Sequence, residues 1–143
     1  MPVAKHTLTK LQSAIYFELL EHGQLTGYDI SKIIDGKDLY WSHQQVYREL
    51  PKMALKMVYV PQEGKPDKKV YSLPNETFYS HKIKDIDLLF LSAYPDQNLI
   101  DMRMSYIDDQ LQALSSVPLS IINCFRIEIT NLEREYLLSL KTH

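Results

Sequence analysis

Between Ser42 and Leu50 the chain reads Ser-His-Gln-Gln-Val-Tyr-Arg-Glu-Leu. At helical spacing Val46 and Leu50, with Met53 beyond them, share one face. Gln44, Tyr47, Arg48 and Pro51 then share the opposite face, flanked by His43 and Lys52. Gln and Arg side chains can each make two hydrogen bonds to a purine edge in a DNA major groove, while Tyr hydroxyls and Lys ammoniums suit phosphate oxygens. Ser42 and the unpaired N–H groups at a helix start can also hold a phosphate. Further along, Lys65, Lys68 and Lys69 form a second basic cluster. The chain as a whole has a net charge of −2, but residues 42–73 carry six Lys/Arg against three Asp/Glu, whereas 81–143 carry six against nine. A basic stretch on a mildly acidic chain is the charge pattern of a compact nucleic-acid-binding face.

These residues need elements to hold them. Leu8, Leu11, Ile15 and Leu19 recur at helical spacing over 8–21, and Gly23 supplies a stop. Thr26 with Asp29 three residues on reads as a capping-box variant, opening a helix that buries Ile30, Ile33 and Ile34 and breaks at Gly36. Ser42 with Gln45 is a second capping box. From Met57 the period changes to two. Val58 and Val60 alternate with Tyr59, Glu63-Gly64-Lys65-Pro66-Asp67 is turn chemistry, and Lys69 to Leu73 resumes an extended pattern, so a β-hairpin is expected. Three short helices followed by a hairpin is the order of a winged helix-turn-helix domain. Trp41 is expected as a core anchor between the second and third helices.

The rest reads as helical. One helix is expected over 82–94 around Ile83, Ile86, Leu89 and Phe90, and Asp96 caps the next. There Ile100, Met104, Ile107, Leu111 and Leu114 step by four and three. After Pro118, Ile122, Phe125, Ile129, Leu132 and Tyr136 do the same. Narrow seams of this kind usually face another helix, in the same chain or in a partner.

Three stretches carry a family resemblance: Leu25-Thr26-Gly27-Tyr28-Asp29-Ile30, then Leu39 to Leu50, then Glu63 to Leu73. In order and spacing they resemble the PadR family of bacterial regulators, nearest its AphA-like branch, strongly over 11–73 and more weakly through Lys84 to Leu114 and the last helix. The resemblance implies a mainly α protein with a small β-hairpin wing. Residues 1–78 would be a winged-helix DNA-binding domain and 79–143 a helical dimerisation region. It implies a homodimer on palindromic double-stranded DNA, with recognition helices about one DNA turn apart. Family members often repress, and the AphA-like branch also activates. Some bind phenolic acids or drugs between the dimer halves; no motif here specifies such a small aromatic effector. The expected DNA contacts are Ser42, His43, Gln44, Tyr47, Arg48, Lys52, Lys65, Lys68 and Lys69. The expected dimer contacts are the ten seam residues just named.

The sequence departs from the family pattern in four places. The stretch between Trp41 and His43 is about two residues short. Pro51 stands where the recognition helix would continue, and a mid-helix proline costs ~3 kcal/mol. Lys56 occupies the place of a helix-ending glycine, and Pro74-Asn75-Glu76-Thr77 replaces a Gly-containing turn. These departures motivate an alternative: a degenerate winged helix that pairs with a related regulator and binds DNA weakly.

Other chemistry finds no support. The chain has five histidines, His6, His22, His43, His81 and His143, and one cysteine. No Cys/His spacing matches a zinc site, so no metal is expected. Asp85, Asp87, Asp108 and Asp109 read as solvated helix faces, and Cys124 as a buried small hydrophobe beside Phe125. There is no Walker loop, G-x-G-x-x-G or nucleophile elbow, so neither a cofactor nor an enzyme is expected. No apolar run approaches the ~18 residues that span a bilayer, and no signal-peptide stretch precedes Lys10, so a cytoplasmic protein is expected.

Overall fold

The computed structural model describes residues 4–75 and 77–141. The chain divides into two compact units, 1–82 and 83–143. The first contains β1 (Ala4–Leu8), α1 (Lys10–His22), β2 (Gln24–Thr26), α2 (Gly27–Asp35), α3 (His43–Glu49), β3 (Lys56–Gln62), β4 (Lys65–Ser72) and β5 (Thr77–His81). The strands make an antiparallel sheet in the order β2-β4-β3 and a separate parallel pair, β1 with β5. That pairing carries the first unit to Lys82 rather than to 78. It also takes Leu8 out of the first helix: Leu8 ends β1 and is fully buried.

Capping sets the helix starts. Thr9 Oγ1 accepts from the Gln12 N–H at 3.3 Å while Gln12 Oε1 accepts from the Thr9 N–H at 3.1 Å, a complete capping box for α1. Ser42 and Gln45 make the same reciprocal pair for α3, at 3.1 and 2.8 Å. Thr26 caps α2 through the Asp29 N–H. The three helices bury Ile15, Leu19, Ile30, Ile34 and Val46, and the turn after α3 adds Leu50 and Met53, each contributing ~1.5–3 kcal/mol. Ile33 and Trp41, expected inside, are only half-buried.

The departures from the family pattern have local solutions. The short stretch before α3 turns through two left-handed residues, Asp38 (φ 58°) and Tyr40 (φ 62°). Pro51 breaks no helix: α3 ends at Glu49, and the proline sits in the first turn of a 3₁₀ segment, Leu50–Lys52, where it forfeits no helical hydrogen bond. The left-handed residue before the wing is Ala54 (φ 54°), not Lys56. The Tyr79 hydroxyl ties this corner by donating to the carbonyls of Met53 and Ala54, 2.8 and 3.2 Å away. Burial, and then the nearby Tyr16, raise the Tyr79 phenol above its ordinary pKa.

Gln62 pairs with Lys65, so the hairpin turn is Glu63-Gly64 alone, with Gly64 at φ 71°. Lys65-Pro66-Asp67, expected in the turn, already belong to β4. A register shift between Val60 and Gln62 surrounds Pro61, which has no N–H to give the ladder.

The second unit contains a 3₁₀ turn (Ile83–Asp85), α4 (Leu88–Ala93), α5 (Gln97–Ser115) and α6 (Ile121–Lys141). The single helix expected over 82–94 is thus broken, because Asp87 accepts from the Phe90 N–H and starts α4 afresh. Ile86 and Phe90 are buried, but Leu89 is exposed. Asp96 caps α5 through the Leu99 N–H, as expected. Arg103 of α5 links the unit together. Its guanidinium donates to both Glu133 carboxylate oxygens on α6, at 3.0 and 3.4 Å, and to the carbonyls of Ile83 and Lys84, both at 3.0 Å. Asp108 is paired with Arg134 at 2.8 Å rather than merely solvated. Among the described residues no helix is long and apolar enough to cross a membrane.

Candidate nucleic-acid interface

The helix-turn-helix is tight because α2 begins with a glycine. A Cβ on Gly27 would stand 2.7 Å from Tyr47 Cε1 and 3.2 Å from Leu50 Cδ1, so any side chain there would collide with α3. The absent methyl lets the Tyr47 ring lie against the start of α2. Val46 and Leu50 turn inward, while His43, Gln44, Tyr47 and Arg48 are all exposed. The outward face read from helical spacing is therefore the outward face observed.

Two polar links set the pose of α3. Gln12 Nε2 donates to Glu49 Oε2 at 2.8 Å, so the residue that completes the α1 cap also holds the end of α3. Lys52 Nζ lies 3.6 Å from the other Glu49 oxygen. That pairing draws Lys52 toward α3 and balances part of its charge. At the start of α3, His43 Nδ1 lies 3.2 Å from Ser31 Oγ on α2. Ser42 Oγ accepts the cap hydrogen bond, so what the side chain retains for a ligand is its own hydroxyl proton.

Lys65, Lys68 and Lys69 are exposed along β4. Lys68 and Lys69 are consecutive in the strand and so project to opposite faces of the hairpin. Between β4 and the helices lies an open cavity of about 650 Å³, bordered by Tyr28, Asp29, Tyr47, Asp67, Lys69 and Tyr71 among others. Tyr28 and Tyr71 were not singled out from the sequence. Tyr28 is exposed beside the Thr26 cap with Lys32 Nζ 5.6 Å from its ring centre, and an aromatic two residues past a cap was the available signal. Away from this face, Glu18, Glu21 and His22 gather on the last turn of α1, their potential ligand atoms all within 4.8 Å of one another. Spacing of three and four residues brings them together, which a search for Cys/His motifs passes over. His143, and Glu76 of the 74–77 turn, lie outside the described residues.

The two apolar seams of the second unit have different fates. On α5, Ile100, Met104 and Ile107 are buried within the unit, with Leu111 and Leu114 half-buried. On α6, Ile122, Phe125, Ile129, Leu132 and Tyr136 are between 49 and 63 % exposed, while Leu137 on another face of the helix is buried. Leu89 of α4 borders the same apolar surface beside Ile129, Leu132 and Tyr136. Cys124 is exposed, not buried, because its neighbour Phe125 lies on the solvent side of α6.

The first unit is thus a winged helix-turn-helix: three helices, a short sheet and a two-stranded wing. No family model matches the chain, and no curated protein is significantly similar to it. Among solved structures, one similar chain is Bacillus subtilis PadR in complex with operator DNA, at 21 % identity and a TM-score of 0.41. The match covers 92 % of this chain and 96 % of that one.

Proposed function

We propose that this chain is a PadR-like, sequence-specific transcription regulator that acts as a homodimer on a palindromic operator, as a repressor. One observation carries the reading: α3 buries Val46, with Leu50 buried just past its end, and exposes Gln44, Tyr47 and Arg48 together, next to a hairpin that exposes Lys65, Lys68 and Lys69. In this reading Gln44 and Arg48 contact base edges, and Tyr47 and the Ser42 hydroxyl contact phosphates. Lys52 and the three wing lysines supply charge to the DNA backbone. The five exposed apolar residues of α6, joined by Leu89, form the surface that a second copy covers. The buried α5 seam supports that surface from within its own unit. The interaction-module alternative loses its main motive, since Pro51 stands where α3 has already ended.

The test is selection from a pool of random duplexes with the purified protein at two salt concentrations. Enrichment of a palindromic site, with affinity falling steeply as salt rises, is the expected result. A folded dimer that enriches no sequence would overturn the proposal. Placement of the enriched site over a promoter or upstream of it would then separate repression from the activation known in the AphA-like branch.

A further inference from the structure

The contact between α2 and α3 fixes more than distance. Ser31 is only 1 % exposed and His43 is exposed at the first position of α3. Ser31 Oγ lies 2.9 Å from the Tyr28 carbonyl oxygen and 3.2 Å from His43 Nδ1. A hydroxyl has one proton, and a carbonyl oxygen can only accept. An oxygen–oxygen distance of 2.9 Å therefore places the Ser31 proton on the Tyr28 contact. What remains to Oγ toward His43 is a lone pair, so Nδ1 must carry the hydrogen. In a neutral imidazole with Nδ1 protonated, Nε2 is an acceptor. Among the described residues Nε2 has no partner.

We propose that Ser31 holds neutral His43 in its Nδ1–H tautomer, so that His43 presents an acceptor to the major groove and selects a base whose exocyclic amine points into that groove. This rests on α3 being the recognition helix. In the major groove the donors are N4 of cytosine and N6 of adenine, whereas guanine and thymine present acceptors to the same approach. An acceptor-only Nε2 pairs with the first group and is repelled by the second. Ser31 is a positioning residue here, and His43 makes the contact. The expected preference at one operator position is about fivefold for A or C over G or T on the contacted strand, the worth of one net hydrogen bond.

The two halves of the proposal are read separately. Long-range ¹⁵N–¹H correlation on the full-length protein at pH 8.5, with the His43 signals assigned through His43→Gln, reports which ring nitrogen is protonated. The expected spectrum shows a protonated Nδ1 in the wild type and a shift toward protonated Nε2 in Ser31→Ala. A bare Nδ1 in the wild type overturns the tautomer assignment, and that measurement needs no variant at Ser31 to fold. In duplex selection, His43→Ala is expected to abolish the A/C preference at one position and leave the rest of the site intact. If the wild type enriches a site whose every position is unchanged in His43→Ala, the inference fails and the regulator reading survives. If no site is enriched at all, the regulator reading fails and takes the base-selecting half with it. The spectrum alone then decides the tautomer.

Discussion

Replacing Gly27 with alanine is expected to move Tyr47 and weaken binding to every duplex alike. The added Cβ would stand 2.7 Å from Tyr47 Cε1, 3.1 Å from Cδ1 and 3.2 Å from Leu50 Cδ1. Optimal carbon contacts lie at ~3.5–4.0 Å, so the ring must withdraw by about 1 Å. Leu50 is buried and has nowhere to go; Tyr47 is 45 % exposed and can swing outward. Forced overpacking costs ~1–3 kcal/mol, and alanine returns up to ~1 kcal/mol of helix propensity. The net loss of about 1 kcal/mol should lower Tm by about 2–4 °C. Binding should suffer more. A hydrogen bond from Tyr47 to a charged phosphate contributes ~1.5–3 kcal/mol, so displacing it should cost about ten- to a hundredfold in affinity. The assay is anisotropy titration on the selected site and on a random duplex of equal length, with thermal melts alongside. Tyr47→Phe removes the hydroxyl without moving the ring and serves as the reference. Both variants should lose affinity equally on both duplexes. If Gly27→Ala binds like the wild type while Tyr47→Phe does not, the clash argument fails. If neither loses affinity, Tyr47 touches no phosphate.

Five further substitutions have expected outcomes. Arg48→Ala should cost ~1–3 kcal/mol on the selected site and relax its sequence, while Lys68→Ala should weaken all duplexes alike and flatten the salt slope by about 0.9; equal losses for Arg48→Ala on specific and random DNA would defeat the base-reading role. Ala54→Gly relieves a left-handed alanine that costs ~1–2 kcal/mol but returns ~0.4–1 kcal/mol of chain entropy to the unfolded state, so for a net gain of about 1 kcal/mol calorimetry should show Tm rising by about 2–4 °C, and a fall would mean the corner is not left-handed. Ile129→Glu places a charge in the middle of the exposed α6 surface, and sedimentation should find a monomer where the wild type is expected to give the proposed dimer; a dimer persisting in the variant would put the interface elsewhere. Tyr79→Phe should lose about 1 kcal/mol near neutral pH. Because the folded-state phenol is raised, that contribution is fully present below the unfolded value of ~10 and is lost as pH rises through the folded one, so the gap between variant and wild type in chemical melts should close only in strong alkali. A gap that closes near pH 8 would contradict the stated origin of the shift.

The parts of this fold legible in the sequence are those with local causes. Thr26, Ser42 and Asp96 each accept the cap hydrogen bond their spacing promises. The run from Met57 to Val60 pairs with Lys68 to Tyr71 as the hairpin expectation requires, although both of its faces are exposed. What stayed hidden depends on distant partners. Strands β1 and β5 pair across most of the first unit, and β2 has three residues, too few for any alternation to register. Leu8 continued the spacing of α1 and so passed for helix. The seams on α5 and α6 have the same three-and-four stepping, and nothing in that stepping says which finds its mate inside the chain. Cys124 was misplaced for the same reason, as was Leu89. The outward face of α3 was legible because one helix turn suffices to sort it, whereas the links from Gln12 to Glu49 and from Ser31 to His43 join residues on different helices.

The irregularity at Pro61 has a consequence for solubility. Strand β3 is an edge of its sheet, and four successive residues, Met57, Val58, Tyr59 and Val60, are exposed along it. A straight edge of that composition is a template on which a second chain can add a strand, the first step toward fibrous assembly. Pro61 can donate to a strand on neither side, the register shift between Val60 and Gln62 interrupts the regular pairing around it, and Lys56 sets a charge at the other end. The wing therefore keeps an apolar strand in solvent while denying it the regular backbone row that self-association requires. Pro61→Val would restore that row, and the harm should appear as turbidity on concentration before it appears in any titration with DNA.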